Sequence, residues 1–267
     1  GEGDLVHPGV PHEPLADVIR RTINRGGSVL IPAFAVDRTE IVLKELSQMR
    51  TDGRITRTPV YVNSPMAAAA LDVYKAGAAE MKDGLDLSDV MADLREVRTS
   101  DESRELTEGG HGPSIIISSS GMATGGRVLH HLERMLPDPR NAIVLTGYQA
   151  AGTRGRALLE GATRLKMHGR YVGVKAEIVY DEEFSVHADA SELLDWVAAL
   201  DPAPGIVYCT HGEPEPAAAL ARRITDRLGL VAVVPRQGEV VVVEPTPAGV
   251  DARAEPAGVD GQPQAEQ

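Results

Sequence analysis

Short runs rich in β-branched residues recur along the chain at 28–34 (SVLIPAF), 59–63 (PVYVN), 114–118 (SIIIS) and 142–146 (AIVLT), each followed by turn residues and then a helical stretch. Runs that are apolar on both faces must be covered on both faces, and strands joined through helices lie side by side in the same direction. The alternation therefore specifies an α/β fold with a mainly parallel sheet flanked by helices. Helical spacing of Leu15, Val18, Ile19, Thr22 and Ile23 predicts a helix over 13–24, stopped by Gly26 and Gly27. Asp37 and Glu40 form a capping-box pattern opening a helix with Ile41, Val42, Leu46 and Met49 on its apolar face. Ser64 and Pro65 occupy the N-cap and N1 positions of a helix running to Met81, and a further helix is expected over 127–135. The polar segment 82–112 is mostly acidic, and within it 90–97 reads as a short helix or strand.

From 164 to 180 the pattern changes to short β-rich runs broken by Gly169 and Gly173, which predicts hairpins and a change of domain. A helix at 190–200, a strand at 205–209, a helix at 216–228 and strands at 231–234 and 239–243 follow. Beyond Glu244, PAGVD at 247–251 recurs at 256–260, a composition that buries too little apolar surface to fold. No apolar run approaches the roughly 20 residues of a membrane span, so no membrane partner and a cytoplasmic setting are expected. The lone Cys209 excludes an internal disulfide. A net charge of −12 argues against general coating of nucleic acid, so any RNA contact must be local. The opening residues lack an initiator Met, and the chain reads as part of something longer.

The chemistry concentrates in two places where a histidine leaves a strand: His187 in FSVHAD (184–189) and His211 in CTHGE (209–213). A neutral imidazole there can ligate Zn²⁺, and a protonated one can donate to a developing oxyanion. Taken singly, such a histidine is more often a hydrogen-bonded structural residue, and Asp189 reads equally as an N-cap. The glycine-rich segment SSSGMATGGR (118–127) shifts the balance. Between a strand and a helix it can aim backbone N–H groups and Arg127 at a phosphate, although glycine turns also serve tight packing. It is not a P-loop, since the lysine is missing. GYQAAGTRGR (147–156) adds Arg154 and Arg156 at a helix start. The adjacent His130 and His131 point in different directions and should not share a metal, while His7, His12, His111 and His168 read as surface residues.

The ordered set VLIPAFAVDRTE, PVYVNSPMA, SSGMATGGR, GYQAAGT, FSVHAD and THGE resembles the β-CASP branch of the metallo-β-lactamase superfamily, the RNase J-like and cleavage-factor-like RNA nucleases. The resemblance implies a β-CASP domain at 1–172, the C-terminal segment of a metallo-β-lactamase αββα domain at 173–245, and a disordered tail at 246–267. It implies a zinc-dependent endo- or 5′-exoribonuclease with two zinc ions, single-stranded RNA in the cleft between domains, and a homo-oligomer as an option. His187 matches the histidine that contacts the scissile phosphate as acid or stabiliser, and His211 matches a zinc ligand whose presence tilts the substrate toward RNA. Ser119, Ser120, Gly121, Met122, Gly125, Gly126, Arg127 and Arg154 are the expected RNA-binding residues. The departures are informative. The His-x-His-x-Asp-His motif is absent, since no two of the eight histidines flank a single intervening residue. The acidic motif is cut, since Gly3 and Asp4 align just after it and Glu2 falls in its tyrosine place, and Asn63 and Asp37 replace the usual Asp and Gly. The chain alone is therefore expected to lack most zinc ligands, with the missing N-terminal metallo-β-lactamase part as its natural partner. Rival readings are a non-catalytic RNA-binding or scaffold subunit and a binding domain for a phosphorylated metabolite.

Overall fold

The computed structural model describes residues 12–77, 93–109, 112–184 and 188–242. They fall into two compact units, 12–184 and 188–242. In the first, α1 (Glu13–Asn24) leads to β1 (Val29–Pro32), α2 (Arg38–Thr51), β2 (Val60–Asn63), α3 (Pro65–Ala76) and β3 (Leu94–Glu96). Then come α4 (Ser100–Glu108), β4 (Ile115–Ser118), α5 (Val128–Met135), β5 (Ala142–Thr146) and α6 (Arg154–Leu159). A hairpin of β6 (Arg164–Met167) and β7 (Arg170–Gly173) precedes β8 (Glu177–Asp181) and a 3₁₀ turn (Glu182–Phe184).

Strands β3-β2-β4-β1-β5-β8 form a six-stranded sheet, in that order, with every pairing parallel. Alternate residues divide between the two faces. Val29, Ile31, Val60, Val62, Ile115, Ile117, Ala142 and Val144 pack with α1, α2 and α3. Leu30, Tyr61, Ile116, Ile143 and Leu145 pack with α5 and the hairpin. Both faces are dry, so each of these strands reads as a continuous apolar run, and each fully buried branched side chain contributes about 2 kcal/mol.

Several expectations change in three dimensions. Ser64 does cap α3, accepting the Ala67 N–H at 3.2 Å. The box expected at Asp37 and Glu40 does not form: Asp37 has φ 63°, its side chain caps nothing and instead accepts a hydrogen bond from the Tyr74 hydroxyl, and Glu40 is buried. A capping box does form, unforeseen, between Thr99 and Glu102 at the start of α4. Hairpin structure stops at Gly173, and β8 joins the sheet beside β5, so the first unit continues past the expected division at 172/173.

The second unit runs α7 (Ala190–Ala198), β9 (Val207–Tyr208), α8 (Pro214–Leu228) and β10 (Ala232–Val233), with β9 and β10 parallel. Its core gathers Leu194, Val197, Cys209, Ala221, Ile224 and Leu230. The strand expected at 239–243 is not formed at 239–242, where the Glu239 side chain instead accepts the Arg236 N–H at 2.8 Å. The expected tail, His7, His111 and His187 lie outside the described residues. Among the described residues no helix is long and apolar enough to cross a membrane.

Candidate functional site

Because the sheet is parallel, the loops after β1, β2, β4, β5 and β8 leave along one edge, the edge at which α/β sheets present ligands. The loop after β4 is the glycine-rich segment. It leans on its neighbours: Ser119 Oγ donates to Ser64 Oγ at 2.9 Å, and a Cβ on Gly121 would meet the Phe34 ring at 3.0 Å. Ser120 Oγ accepts the Thr124 N–H at 3.1 Å.

The carbonyls of this loop turn inward onto the protein. Gly121 O accepts from Gln149 Nε2 at 3.2 Å, Met122 O from the Gly155 N–H at 3.1 Å, and Ala123 O and Thr124 O from Arg154 Nη1 at 3.4 and 3.0 Å. Among the described residues, the N–H groups of Gly121, Met122, Gly125 and Gly126 have no acceptor. A loop that turns its carbonyls inward and leaves N–H groups without acceptors is polarised toward an anion, without needing a basic surface.

The two arginines expected to touch RNA have other work. Arg127 Nη1 donates to Asn63 Oδ1 at 3.1 Å and Val97 O at 2.9 Å, and Nη2 to Arg98 O at 3.1 Å. Arg154 Nε donates to Lys166 O at 2.9 Å in addition to its loop contacts. Both guanidiniums are clamps that shape the loop. Asn63, fully buried, is the hub of the first: its Nδ2 reaches Ser103 Oγ at 2.9 Å and His131 Nε2 at 2.6 Å. Arg127→Ala leaves the Asn63 and backbone oxygens short of donors, so it should destabilise the fold by about 2 kcal/mol, read as a lower urea midpoint. An RNA-binding defect with unchanged stability would refute the clamp.

Other polar groups also stand at this edge. Arg38, buried, donates to Thr146 O at 2.6 Å, and burial lowers its pKa. His12, read from sequence as a surface residue, is buried instead. Its ring stacks on Phe184, and Nδ1 lies 3.2 Å from Asp181 Oδ2 and 3.7 Å from Glu183 Oε2. The reason is long-range, since its carboxylate partners lie at the far sheet edge, on and after β8. His168 stays exposed but is not solitary, because Nδ1 lies 3.0 Å from Glu133 Oε1.

In the second unit, His211 follows β9 in a left-handed conformation with φ 64° and is exposed. Asp189 is an N-cap, accepting the Ser191 and Glu192 N–H groups at 2.8 and 2.9 Å. The Cys209 thiol is buried and its pKa raised by that burial, the state of an inert hydrophobe. Among the described residues, the groups able to surround an ion are His130 with Glu133 and His168, and His12 with Asp181 and Glu183. His211 belongs to neither, and a zinc site takes about four ligands. The described residues do not by themselves fit the zinc expected at His211.

A parallel sheet with a glycine-rich loop on its C-terminal edge, followed by a small αβαβ unit presenting a histidine, defines an α/β protein of two units. Residues 40–158 match the model of the Beta-Casp domain, and residues 171–235 match that of the Zn-dependent metallo-hydrolase RNA specificity domain. The second match begins close to the expected 172/173 division, whereas the compact unit extends beyond it. Relatives include Ribonuclease TTHA0252 of Thermus thermophilus, 35% identical over 87% of this chain and 56% of that protein. Transcription termination factor FttA of Pyrococcus abyssi is 33% identical over 90% of this chain and 39% of its own length. The RNase J-like protein of Methanocaldococcus jannaschii is 31% identical over 86% and 53%. The chain thus spans about half or less of the length of these curated relatives. It belongs to the β-CASP family of metallo-β-lactamase-fold proteins.

Proposed function

We propose that this chain is the RNA-gripping and C-terminal portion of a zinc-dependent ribonuclease that hydrolyses phosphodiesters of single-stranded RNA. The observation carrying this reading is the loop 119–127, with its carbonyls turned inward and the N–H groups of Gly121, Met122, Gly125 and Gly126 without acceptors among the described residues. It offers a place for an RNA phosphate on a chain of net charge −12. The named relatives that are ribonucleases, and the zinc-dependent description of the second matched domain, support the hydrolytic half.

In the intact protein, His211 contributes one zinc ligand and His187 assists at the scissile phosphate. The remaining ligands of two zinc ions come from residues outside this chain, and the 267 residues alone cleave RNA little. Arg127 and Arg154 serve RNA by shaping the loop that holds it.

The test uses Gly125, where an added Cβ meets nothing within 4 Å and so stands in open space. Gly125→Asp sets a negative charge in the loop. It should weaken binding of fluorescent single-stranded RNA by about five- to tenfold at low salt, with an unchanged melting temperature. Equal affinity of the two proteins would remove the loop from the RNA path. Tight binding of a phosphorylated metabolite with no RNA affinity would favour the small-ligand reading. An intact protein that binds RNA and lacks zinc would be a scaffold.

A further inference from the structure

We propose that His130, Glu133 and His168 form a surface site for a divalent transition metal of the zinc, nickel or copper type, separate from the zinc that His211 would serve. His130 and Glu133 stand three residues apart on α5 and so share a face, and His168 approaches from the β6–β7 turn. The ligand atoms all lie within 4.8 Å of one another, with His168 Nδ1 3.0 Å from Glu133 Oε1. The imidazoles are near-parallel at 25°, with centroids 4.8 Å apart. Two imidazoles and a carboxylate suit a borderline metal and leave open positions for water. A hard, octahedral Mg²⁺ is a poor match for nitrogen ligands.

The turn gives a second reason. Met167 pairs with Arg170, leaving His168 and Gly169 as the loop of a two-residue hairpin, with φ 43° and 81°. Both values fit a type I′ turn, which favours Asn, Asp or Gly at its first central position. A histidine there is less favourable for the backbone and places an imidazole against α5. The hairpin pairs only with itself among the described strands, so an ion shared with α5 would tie its tip down. Arg170 lines a surface depression together with Glu133 and His168, and its charge opposes the ion. Affinity in the micromolar range is therefore expected.

The 267-residue chain is titrated with Zn²⁺ against a chromophoric chelator, alongside His168→Asn, His130→Ala and His211→Ala. His168→Asn keeps a residue suited to the left-handed turn and removes only the ligand. The site predicts at least about a tenfold loss of zinc affinity in the first two variants and none in His211→Ala, with zinc raising the melting temperature of the parent but not of His168→Asn. Independently of any variant, zinc should perturb the imidazole NMR signals of His130 and His168 in the parent. Zinc affinity unchanged in His168→Asn, or imidazole signals unmoved by micromolar zinc, would overturn the proposal. Because no RNA enters these readings, a failure here is distinguishable from a failure of the ribonuclease reading.

Discussion

Glu40→Gln is expected to stabilise this chain at pH 8.5 by up to about 3 kcal/mol and to leave its stability nearly unchanged at pH 4. Glu40 lies in the first turn of α2 with only 1% of its surface exposed, and neither carboxylate oxygen makes a hydrogen bond to the described protein. Burial, reinforced by the negative charge of Asp37, pushes its pKa from 4.5 up to about 7. The backbone N–H groups of Asp37 and of Glu40 itself oppose the shift without meeting hydrogen-bond geometry. Between these pH values the folded chain retains a proton that the unfolded chain releases. Stability therefore falls as pH rises through this window, and the full penalty is present above about 7. The shift corresponds to about 3 kcal/mol. A glutamine keeps the shape and cannot ionise, so its benefit should grow with pH. Melting curves of both proteins at pH 4, 6 and 8.5 decide the matter, and an increment independent of pH would show that Glu40 is not held neutral.

The second large effect is steric. Gly27→Ala should cost about 3 kcal/mol, because a Cβ there would stand 1.8 Å from Arg140 O and 2.4 Å from Arg140 C, both backbone atoms. The two segments are drawn together by Ser28 N–H donating to Asn141 Oδ1 at 2.9 Å and by Ala142 N–H donating to Ser28 O at 3.1 Å. These bonds start the parallel pairing of β1 with β5 at Val29 and Ala142. Gly26 is the control. Its φ of 77° strains an alanine by about 1 kcal/mol, but nothing lies within 4 Å of the added carbon. Urea midpoints should fall much further for Gly27→Ala than for Gly26→Ala, and equal losses would mean that the close approach to Arg140 does not constrain the sheet.

Much of the fold was legible in the sequence. The strands at the centre of the sheet were visible as β-branched runs, and α3 by its Ser64-Pro65 start, because those signals act within a few residues. Legibility failed where the partner is distant. Asp37 and Glu40 satisfy the letter of a capping box, yet Asp37 binds Tyr74 on α3 and Glu40 is buried. Arg127 looks like a phosphate ligand in its motif, and only the fold shows that Asn63, Val97 and Arg98 take three of its five N–H groups. Of the site residues, His211 follows its strand and is exposed, whereas His187 lies outside the described residues.

By itself the sequence determined the alternation of strands and helices, the position of the glycine-rich turn and the family, since each is encoded in contiguous residues with their own steric preferences. Tertiary structure alone decided that Glu177–Asp181 extends the sheet, that His12 is buried against Asp181 and Glu183, and that His130, Glu133 and His168 converge. Those outcomes depend on which chain segments become neighbours, and burial and pairing of polar groups are properties of the assembled surroundings rather than of any residue alone.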